Sequence, residues 1–228
     1  MAVIYAGKSG YIYKSASGTW ASVRDASSGT AAAAPLNGES SNGVRVFHTS
    51  GRGGASYSVY RSFFYFDVSS ITSSASSLTL NVYGKANGTA DVIAVKSTAF
   101  GGDGGTPLAD SDFDNFTTGS GEDFSSEIST WSTSGYNSIP LNATAIGHTH
   151  VDDHLIICLM EYDHDHQDTA PSSETLQNGL HYDNESGTDK DPYLCFDCYA
   201  NDVIGVASAN IGKVNGVAAA NIGKVIGV

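Results

Sequence analysis

The segment from Ser56 to Val68 constrains the fold of this chain more than any other segment. One face of an extended strand here carries Tyr57, Val59, Arg61, Phe63, Tyr65 and Asp67, and the other carries Tyr60, Phe64, Phe66 and Val68. A strand that is apolar on both faces is covered on both sides, which makes it a central strand of a sheet. We therefore expect a fold organised around this strand.

The rest of the chain also has the sequence pattern of β-strands, in shorter segments. β-rich segments alternate with Gly, Ser, Asn and Asp breaks, and helical periodicity is almost absent. Further strands are predicted at 2–5, 11–15, 19–24, 44–49, 78–83, 91–98, 127–133, 138–141, 154–162, 178–182 and 192–199, the last two as a hairpin, with a brief helix at 143–147. This pattern predicts an all-β fold, a jelly-roll-like β-sandwich of about ten strands.

Composition limits the partners of the chain. The net charge is −13, and the 11 Lys and Arg residues are scattered singly, which argues against a nucleic-acid partner. No apolar run is long enough to cross a membrane, and Met1 to Gly7 lacks the basic region of a signal peptide. We therefore expect synthesis in a cytoplasm without a signal peptide, and no membrane partner.

The cysteines do not form a disulfide framework. The chain has three, and Cys195 and Cys198 make a Cys-x-x-Cys within a predicted strand. Residues three apart on a strand face opposite sides, and a zinc site needs a second pair of ligands. The pattern favours buried thiols over a zinc or redox centre.

The last residues form a repeat. Ala209 to Val217 recurs as Ala220 to Val228 with eight of nine positions identical, at a period of 11. Glycines among β-branched residues argue against a helix, since each Gly costs about 1 kcal/mol there. We predict a body over residues 1–199, with 1–43 as its N-terminal strands and loop, and an extended or turn-rich tail over 200–228. A disordered tail is the alternative that composition leaves open.

The tail is too short to fold alone and has too few polar groups for a solvated linker. Its Val and Ile side chains are therefore expected to be buried against other chains. The predicted assembly residues are Val203, Val206, Ile211, Val214, Val217, Ile222, Val225 and Val228. The partners are other copies of this chain and other proteins of the same particle, joined by strand addition.

One polar cluster has the residue types of a metal site. Tyr162, His164 and His166 are expected on one side of a strand, with Glu161, Asp163 and Asp165 on the other. His164 and His166 could share a transition metal, and Asp163, Asp165 and Asp168 could share Ca²⁺. The alternative is a solvated polar strand end. No other cofactor is predicted.

Catalytic motifs are missing from the sequence. Carboxylates between Asp103 and Asp123 lie in a Gly-rich loop that would position them poorly for hydrolysis. No catalytic residue is predicted, and we expect no enzyme. Aromatic residues that could stack on sugars or pack within a sheet are Tyr5, Tyr11, Tyr13, Trp20, Tyr57, Tyr60 and Tyr65.

Two parts of the sequence resemble known proteins. Tyr60-Arg-Ser-Phe-Phe-Tyr-Phe-Asp-Val-Ser-Ser-Ile71 with Ser77-Leu-Thr-Leu-Asn-Val-Tyr83, and the segment from Gly179 to Leu194, resemble DNRLRE-type jelly-roll modules, which are similar to carbohydrate-binding domains. The Lys-Val-Asn-Gly-Val-Ala tail resembles repeats at the ends of structural proteins of marine tailed phages. The resemblance covers about residues 44–199 and implies no catalytic residue.

These observations predict a non-enzymatic virion structural protein of a bacteriophage, as a capsid decoration, tail or fibre component. It would assemble through its C-terminal repeats and reside in the virion. Two alternatives stay open: a carbohydrate-binding adhesin or receptor-binding protein whose partner is a host-surface glycan, and a subunit of an extracellular filament.

Overall fold

The computed structural model describes residues 2–33, 38–72, 75–119, 121–183 and 187–198, and the backbone of 213–214 and 217–218. The chain divides into two compact units, Met1–Asp197 and Cys198–Val228. The first unit is mostly strand with few helices, and its strands form one open antiparallel sheet. The prediction of an all-β protein is confirmed.

The strands of the first unit are β1 (Ala2–Tyr5), β2 (Lys8–Ser17), β3 (Ala31–Ala33), β4 (Glu39–Gly51), β5 (Gly54–Asp67), β6 (Leu78–Gly88), β7 (Val92–Ser97), β8 (Phe116–Thr117), β9 (Tyr136–Leu141), β10 (His154–Glu161), β11 (Thr175–His181) and β12 (Tyr193–Phe196). The helices are α1 (Trp20–Arg24) and α2 (Ala143–Val151), with 3₁₀ turns at Phe100–Gly102 and Asp110–Asp114. Within the described residues, no helix is both long enough and apolar enough to span a membrane.

Strand β5 lies at the centre of the sheet. It pairs with β2, β4 and β10, and its ladder with β2 runs without interruption from Lys8 opposite Tyr65 to Ser17 opposite Ser56. Its apolar side chains are buried on both faces, as the sequence predicts for a central strand.

Two apolar cores lie on the two faces of β5. Phe64 and Phe66 enter one core together with residues of β6, β9, β10 and β12. Val59 and Phe63 enter the other core with residues of β7, α1 and the loops that follow β7. Because full burial of each such side chain contributes about 1.5–3 kcal/mol, this strand anchors the fold from both sides.

A four-stranded part of the sheet consists of β1, β12, β6 and β9. Strand β12 pairs with β1 and with β6, and β9 pairs with the other edge of β6. The chain leaves this part abruptly: the Ala6 amide donates to the Pro192 carbonyl 2.8 Å away, and the next amide, of Gly7, donates to the Tyr65 carbonyl in β5 at 2.9 Å.

Two predicted strands are wrong. Residues 19–24 form helix α1, because the Thr19 side chain caps it by accepting the Ser22 amide and because Trp20 and Val23, three apart, are both buried. Residues 127–133 contain no strand and make only a single bridge, Val92 to Ile128.

The predicted hairpin of residues 178–182 with 192–199 is also wrong. Strand β11 pairs with β4 and β6, whereas β12 pairs with β1 and β6. The physical reason is the length of β6: Leu78 to Asn81 pair with β12, and Gly84 and Gly88 pair with β11. At the β11 end the backbones approach so closely that a Cβ at Gly179 would overlap the Lys85 carbonyl.

The prediction that Cys195 and Cys198 are buried thiols is wrong. Cys195 and Cys198 are both disulfide-bonded, which leaves Cys158 as the free thiol. Residues three apart do face opposite sides on a regular strand, but β12 ends at Phe196, and Asp197 has a positive φ of 52°. The strand rule therefore fails at Cys198. Burial raises the pKa of the fully buried Cys158 thiol.

The described residues of the second unit include one short strand pair. Strands β13 (Lys213–Val214) and β14 (Val217–Ala218) pair antiparallel, with Val214 opposite Val217. These two predicted assembly residues therefore lie on facing strands. The other six, Val203, Val206, Ile211, Ile222, Val225 and Val228, lie outside the described residues.

Candidate functional site

The polar turn, residues 161–168, follows β10 and contains the predicted metal ligands. Residues Tyr162–His166 form a single wide turn, closed by the Gln167 amide donating to the Tyr162 carbonyl at 3.1 Å. The expected strand alternation is therefore wrong here. The cause is Glu161, whose carboxylate accepts the amides of Asp163, His164 and Asp165 at 2.8–3.0 Å and so bends the chain.

Glu161 is fully buried. Burial raises the pKa of its carboxyl to about 7, against the opposing effect of the amides that it accepts. A carboxyl with this pKa changes its charge close to neutral pH, so the stability of the fold is expected to depend on pH in this range.

Asp165 is used by a buried ion pair. Arg61 Nε donates to Asp165 Oδ2 at 2.8 Å and Nη2 donates to Oδ1 at 2.6 Å, and both side chains are fully buried. Two further guanidinium N–H groups donate to the Phe113 carbonyl at 2.9 Å and to the Arg24 carbonyl at 2.8 Å. The same guanidinium carbon lies 4.1 Å and 4.4 Å from the ring centres of Phe113 and Phe116.

This bidentate pair is a structural lock. It joins the central strand β5 to the polar turn, and with the two carbonyls it brings the hydrogen bonds of the guanidinium to four, from its five N–H groups. Sequence reasoning placed Arg61 on a face of the central strand without giving it a role. The position of Arg61 in the sequence could have indicated this role, because a charge in the most apolar strand of a chain needs a buried partner.

The other predicted ligands bond to separate groups. His164 donates from Nδ1 to the Thr169 carbonyl at 2.7 Å, and its Nε2 lies 3.2 Å from a Glu174 oxygen. His166 Nε2 lies 2.9 Å from Asp123 Oδ1. Trp20 Nε1 donates to Asp168 at 3.2 Å. The five residues Asp163, His164, Asp165, His166 and Asp168 thus face different partners and do not converge on one point.

Asp163 belongs to a different group, the acidic trio of Asp91, Glu127 and Asp163. Within the described residues, these are the three whose potential ligand atoms all lie within 4.8 Å of one another. The pKa of Glu127 is raised by desolvation, by a hydrogen bond with Asp91 and by the charges of Asp91 and Asp163. Carboxylate oxygens suit hard cations such as Ca²⁺, so the trio is where an ion would relieve like-charge repulsion. Of the five predicted ligands, it includes only Asp163.

A second region is aromatic. The tyrosine row consists of Tyr5, Tyr193, Tyr136 and Tyr83, on the face of β1, β12, β9 and β6 that points away from the core. Successive ring centres are 5.7, 5.0 and 5.1 Å apart, and the last ring meets His181 edge-on at 5.3 Å. Antiparallel register places Tyr5 opposite Tyr193 and Tyr83 opposite Tyr136.

The polar ends of this row are partly committed to the fold. Tyr136 donates to the carbonyls of Asp189 and Asp191, each at 3.1 Å, and Tyr83 donates to the Ser134 carbonyl at 2.7 Å. Burial raises the pKa of Tyr136 and of Tyr193, so these phenols stay neutral at physiological pH. These two members of the row therefore present uncharged rings.

A cleft of about 470 Å³ adjoins the row at Tyr136. Its lining includes Ile128, Trp131 and Ser138, and the buried Trp131 Nε1 has no hydrogen-bond partner among the described residues. A cleft beside an aromatic row suits a ligand that has flat apolar faces.

Of the aromatic residues singled out in the sequence, only Tyr5 joins the row. Tyr11, Tyr13 and Tyr60 stack with one another elsewhere, at 5.8 and 5.0 Å between ring centres, and Tyr57 stacks on His48 at 4.4 Å. The row's other members come from segments far apart in the chain, so register alone brings them together.

No protein-family model and no curated protein matches this chain.

Proposed function

We propose that this chain is a non-enzymatic structural subunit of a virion, as a capsid decoration, tail or fibre component. Its body would be a jelly-roll-like sandwich, and residues 200–228 would join it to further copies and to other virion proteins. The repeats act by adding short strands and by burying Val and Ile side chains in a neighbouring chain.

The observation that carries this proposal is the hairpin within the repeat. Strands β13 and β14 flank the dipeptide Asn215-Gly216, which is the strongest short signal for a two-residue β-turn. An isolated two-stranded hairpin is marginally stable in water. Repeats of this kind therefore gain stability when they pair with further strands, and a particle made of many copies supplies them.

Sedimentation of the full-length chain over a hundredfold concentration range tests the proposal. We expect concentration-dependent assembly, visible as regular particles or fibres in electron micrographs. Val214→Asp combined with Val225→Asp places a charge in each full repeat and should leave the chain monomeric, because a buried unpaired carboxylate is costly. A matched control is Val151→Asp, at an exposed side chain of α2. A full-length chain that stays monomeric throughout contradicts the proposal.

The tyrosine row favours a second function, that of a carbohydrate-binding adhesin. Rings that carry hydroxyls, beside a cleft, suit the alternating apolar and hydroxyl faces of a sugar. A glycan array would decide, with Tyr193→Ala in the row compared with Tyr60→Ala in the separate stack. Binding that is lost only in Tyr193→Ala supports the adhesin. Binding that is absent in the wild type removes it.

A further inference from the structure

We propose that the exposed edge of β1 is the acceptor for the tail repeat of a second copy of this chain. The inference rests on the proposed function, since it names the surface on which the assembling tail docks. Strand β1 ends the path of hydrogen-bonded strands, and among the described strands its one partner is β12.

The backbone of β1 presents two residues outward. Hydrogen-bonded positions alternate along an antiparallel pair. Because the Ala6 amide bonds the Pro192 carbonyl, Ile4 and Ala2 are the other positions bonded to β12. The N–H and C=O groups of Val3 and Tyr5 consequently point to the open edge. Within the described part of the chain, no other backbone hydrogen bond involves these two residues.

Side chains at the same edge are apolar and open to solvent. Val3 is 41% exposed and Tyr5 is 42% exposed, and together with Val151 they are the exposed large apolar side chains of the described residues. Natural edge strands are usually protected by charges, Pro or bulges. Strand β1, with the sequence Ala-Val-Ile-Tyr, has none of these.

The tail has the properties of the missing strand. Its repeats are rich in Val and Ile, and the described strands of its hairpin are two residues long, short enough to lie along a four-residue edge. Charge also favours the pairing: residues 1–199 hold nine Lys and Arg against 23 Asp and Glu, whereas residues 200–228 hold Lys213 and Lys224 against one acid. Asp189 is exposed beside the tyrosine row that begins at Tyr5.

Each copy then has one donor tail and one acceptor edge. A contact between two different surfaces of identical chains is heterologous, so it closes into a ring or continues as a filament. This arrangement makes a particular prediction, which is that two copies with complementary defects can still form one contact.

The experiment uses two full-length variants. Val3→Pro removes the outward amide of β1 and leaves the bonds to β12 in place, since Pro is tolerated on an edge whose N–H faces solvent. Val214→Asp with Val225→Asp alters the tail and keeps the edge. Val3→Thr is the matched control, because it keeps the amide and a β-branched side chain. Thermal melting and circular dichroism establish that each variant is folded.

We expect wild type and Val3→Thr to assemble. Val3→Pro should associate more weakly, by a factor of up to about ten, because it loses about one hydrogen bond. At a concentration at which Val3→Pro alone stays monomeric, an equimolar mixture of Val3→Pro with the tail variant should give a one-to-one complex and nothing larger. Hydrogen exchange should show protection of the Val3 and Tyr5 amides on assembly.

The failures are distinguishable. Assembly of Val3→Pro equal to that of wild type overturns the β1 acceptor and leaves the assembly function standing. A wild type that is monomeric at every concentration overturns the assembly function. A monomeric wild type whose Val3 amide is protected overturns the second copy as occupant, since the tail then pairs with its own edge.

Discussion

The polar turn and the tyrosine row differ in where their functional groups point. In the turn, Glu161 and Asp165 direct their carboxylates inward, to backbone amides and to Arg61. In the row, Tyr5 and Tyr193 stand on the outer face of a sheet. A cluster of chemically active residues in a sequence is therefore a weak guide to a binding site. What decides is whether its hydrogen-bonding groups are consumed by the fold.

The sharpest test of this contrast is the buried ion pair. Arg61→Met leaves the buried Asp165 carboxylate with only the longer contact to Arg24 Nε, at 3.7 Å, and we expect the free energy of unfolding to fall by about 3–5 kcal/mol. Urea denaturation measures it. The double variant Arg61→Met with Asp165→Leu should regain much of the loss, because no unpaired charge remains. A loss below about 1 kcal/mol in the single variant would mean that the turn is not locked by this pair.

The next effect is pH dependence from Glu161. The folded-state pKa of about 7 exceeds the usual value of 4.5, so the folded state holds the proton more tightly. This group's contribution is therefore fully present below about pH 4.5 and is lost as the pH rises through 7, by about 3 kcal/mol. We expect Glu161→Gln to flatten the dependence of unfolding free energy on pH over that window. Equal slopes in the two proteins would contradict the burial argument.

A smaller effect is expected in the tyrosine row. A double-mutant cycle with Tyr5→Ala and Tyr193→Ala should give a coupling energy of about 0.5–1.5 kcal/mol, the range for an aromatic pair. Thermal and urea unfolding of the four proteins provide it. A coupling energy as large as the loss of unfolding free energy in Arg61→Met would mean that the row stabilises the fold as strongly as the ion pair does. It would contradict the contrast between the two regions.

The smallest effect is expected at the acidic trio. The raised pKa of Glu127 means that its charge is disfavoured in the fold, so Glu127→Gln should raise the melting temperature slightly at pH 7. The gain should vanish near pH 3, where the wild-type carboxyl is already neutral. A drop in melting temperature at pH 7 would show that the charge of Glu127 stabilises the fold. That result is expected if the trio binds a cation.

Sequence reasoning succeeds where one strand contains the whole signal. The apolar faces of β5 identify it as central without any knowledge of its neighbours. Helix α2 begins at Ala143 as predicted but continues to Val151, beyond the predicted end at residue 147. Sequence reasoning fails where a single side chain redirects the backbone. Thr19 turns a β-like segment into α1, and Glu161 turns an alternating segment into a wide turn.

Candidate sites are harder to predict than strands because they depend on register. Tyr5, Tyr136 and Tyr193 are neighbours only because β1, β12, β6 and β9 align in one order, and no local pattern determines that order. Arg61 and Asp165 are likewise 104 residues apart in sequence. The local cluster of His and Asp, by contrast, is visible in the sequence, yet its members bond to separate groups.

The switch at Ala6 and Gly7 has a mechanical consequence. Consecutive amides there bond Pro192, directly before β12, and then Tyr65 in β5, and the chain continues at once into the ten-residue ladder between β2 and β5. A pull on β1 would pass through this point and load that ladder in shear, so that its bonds must break together rather than one after another. If a neighbouring subunit holds this subunit by β1, the tension is borne by β5, the central strand of the sheet.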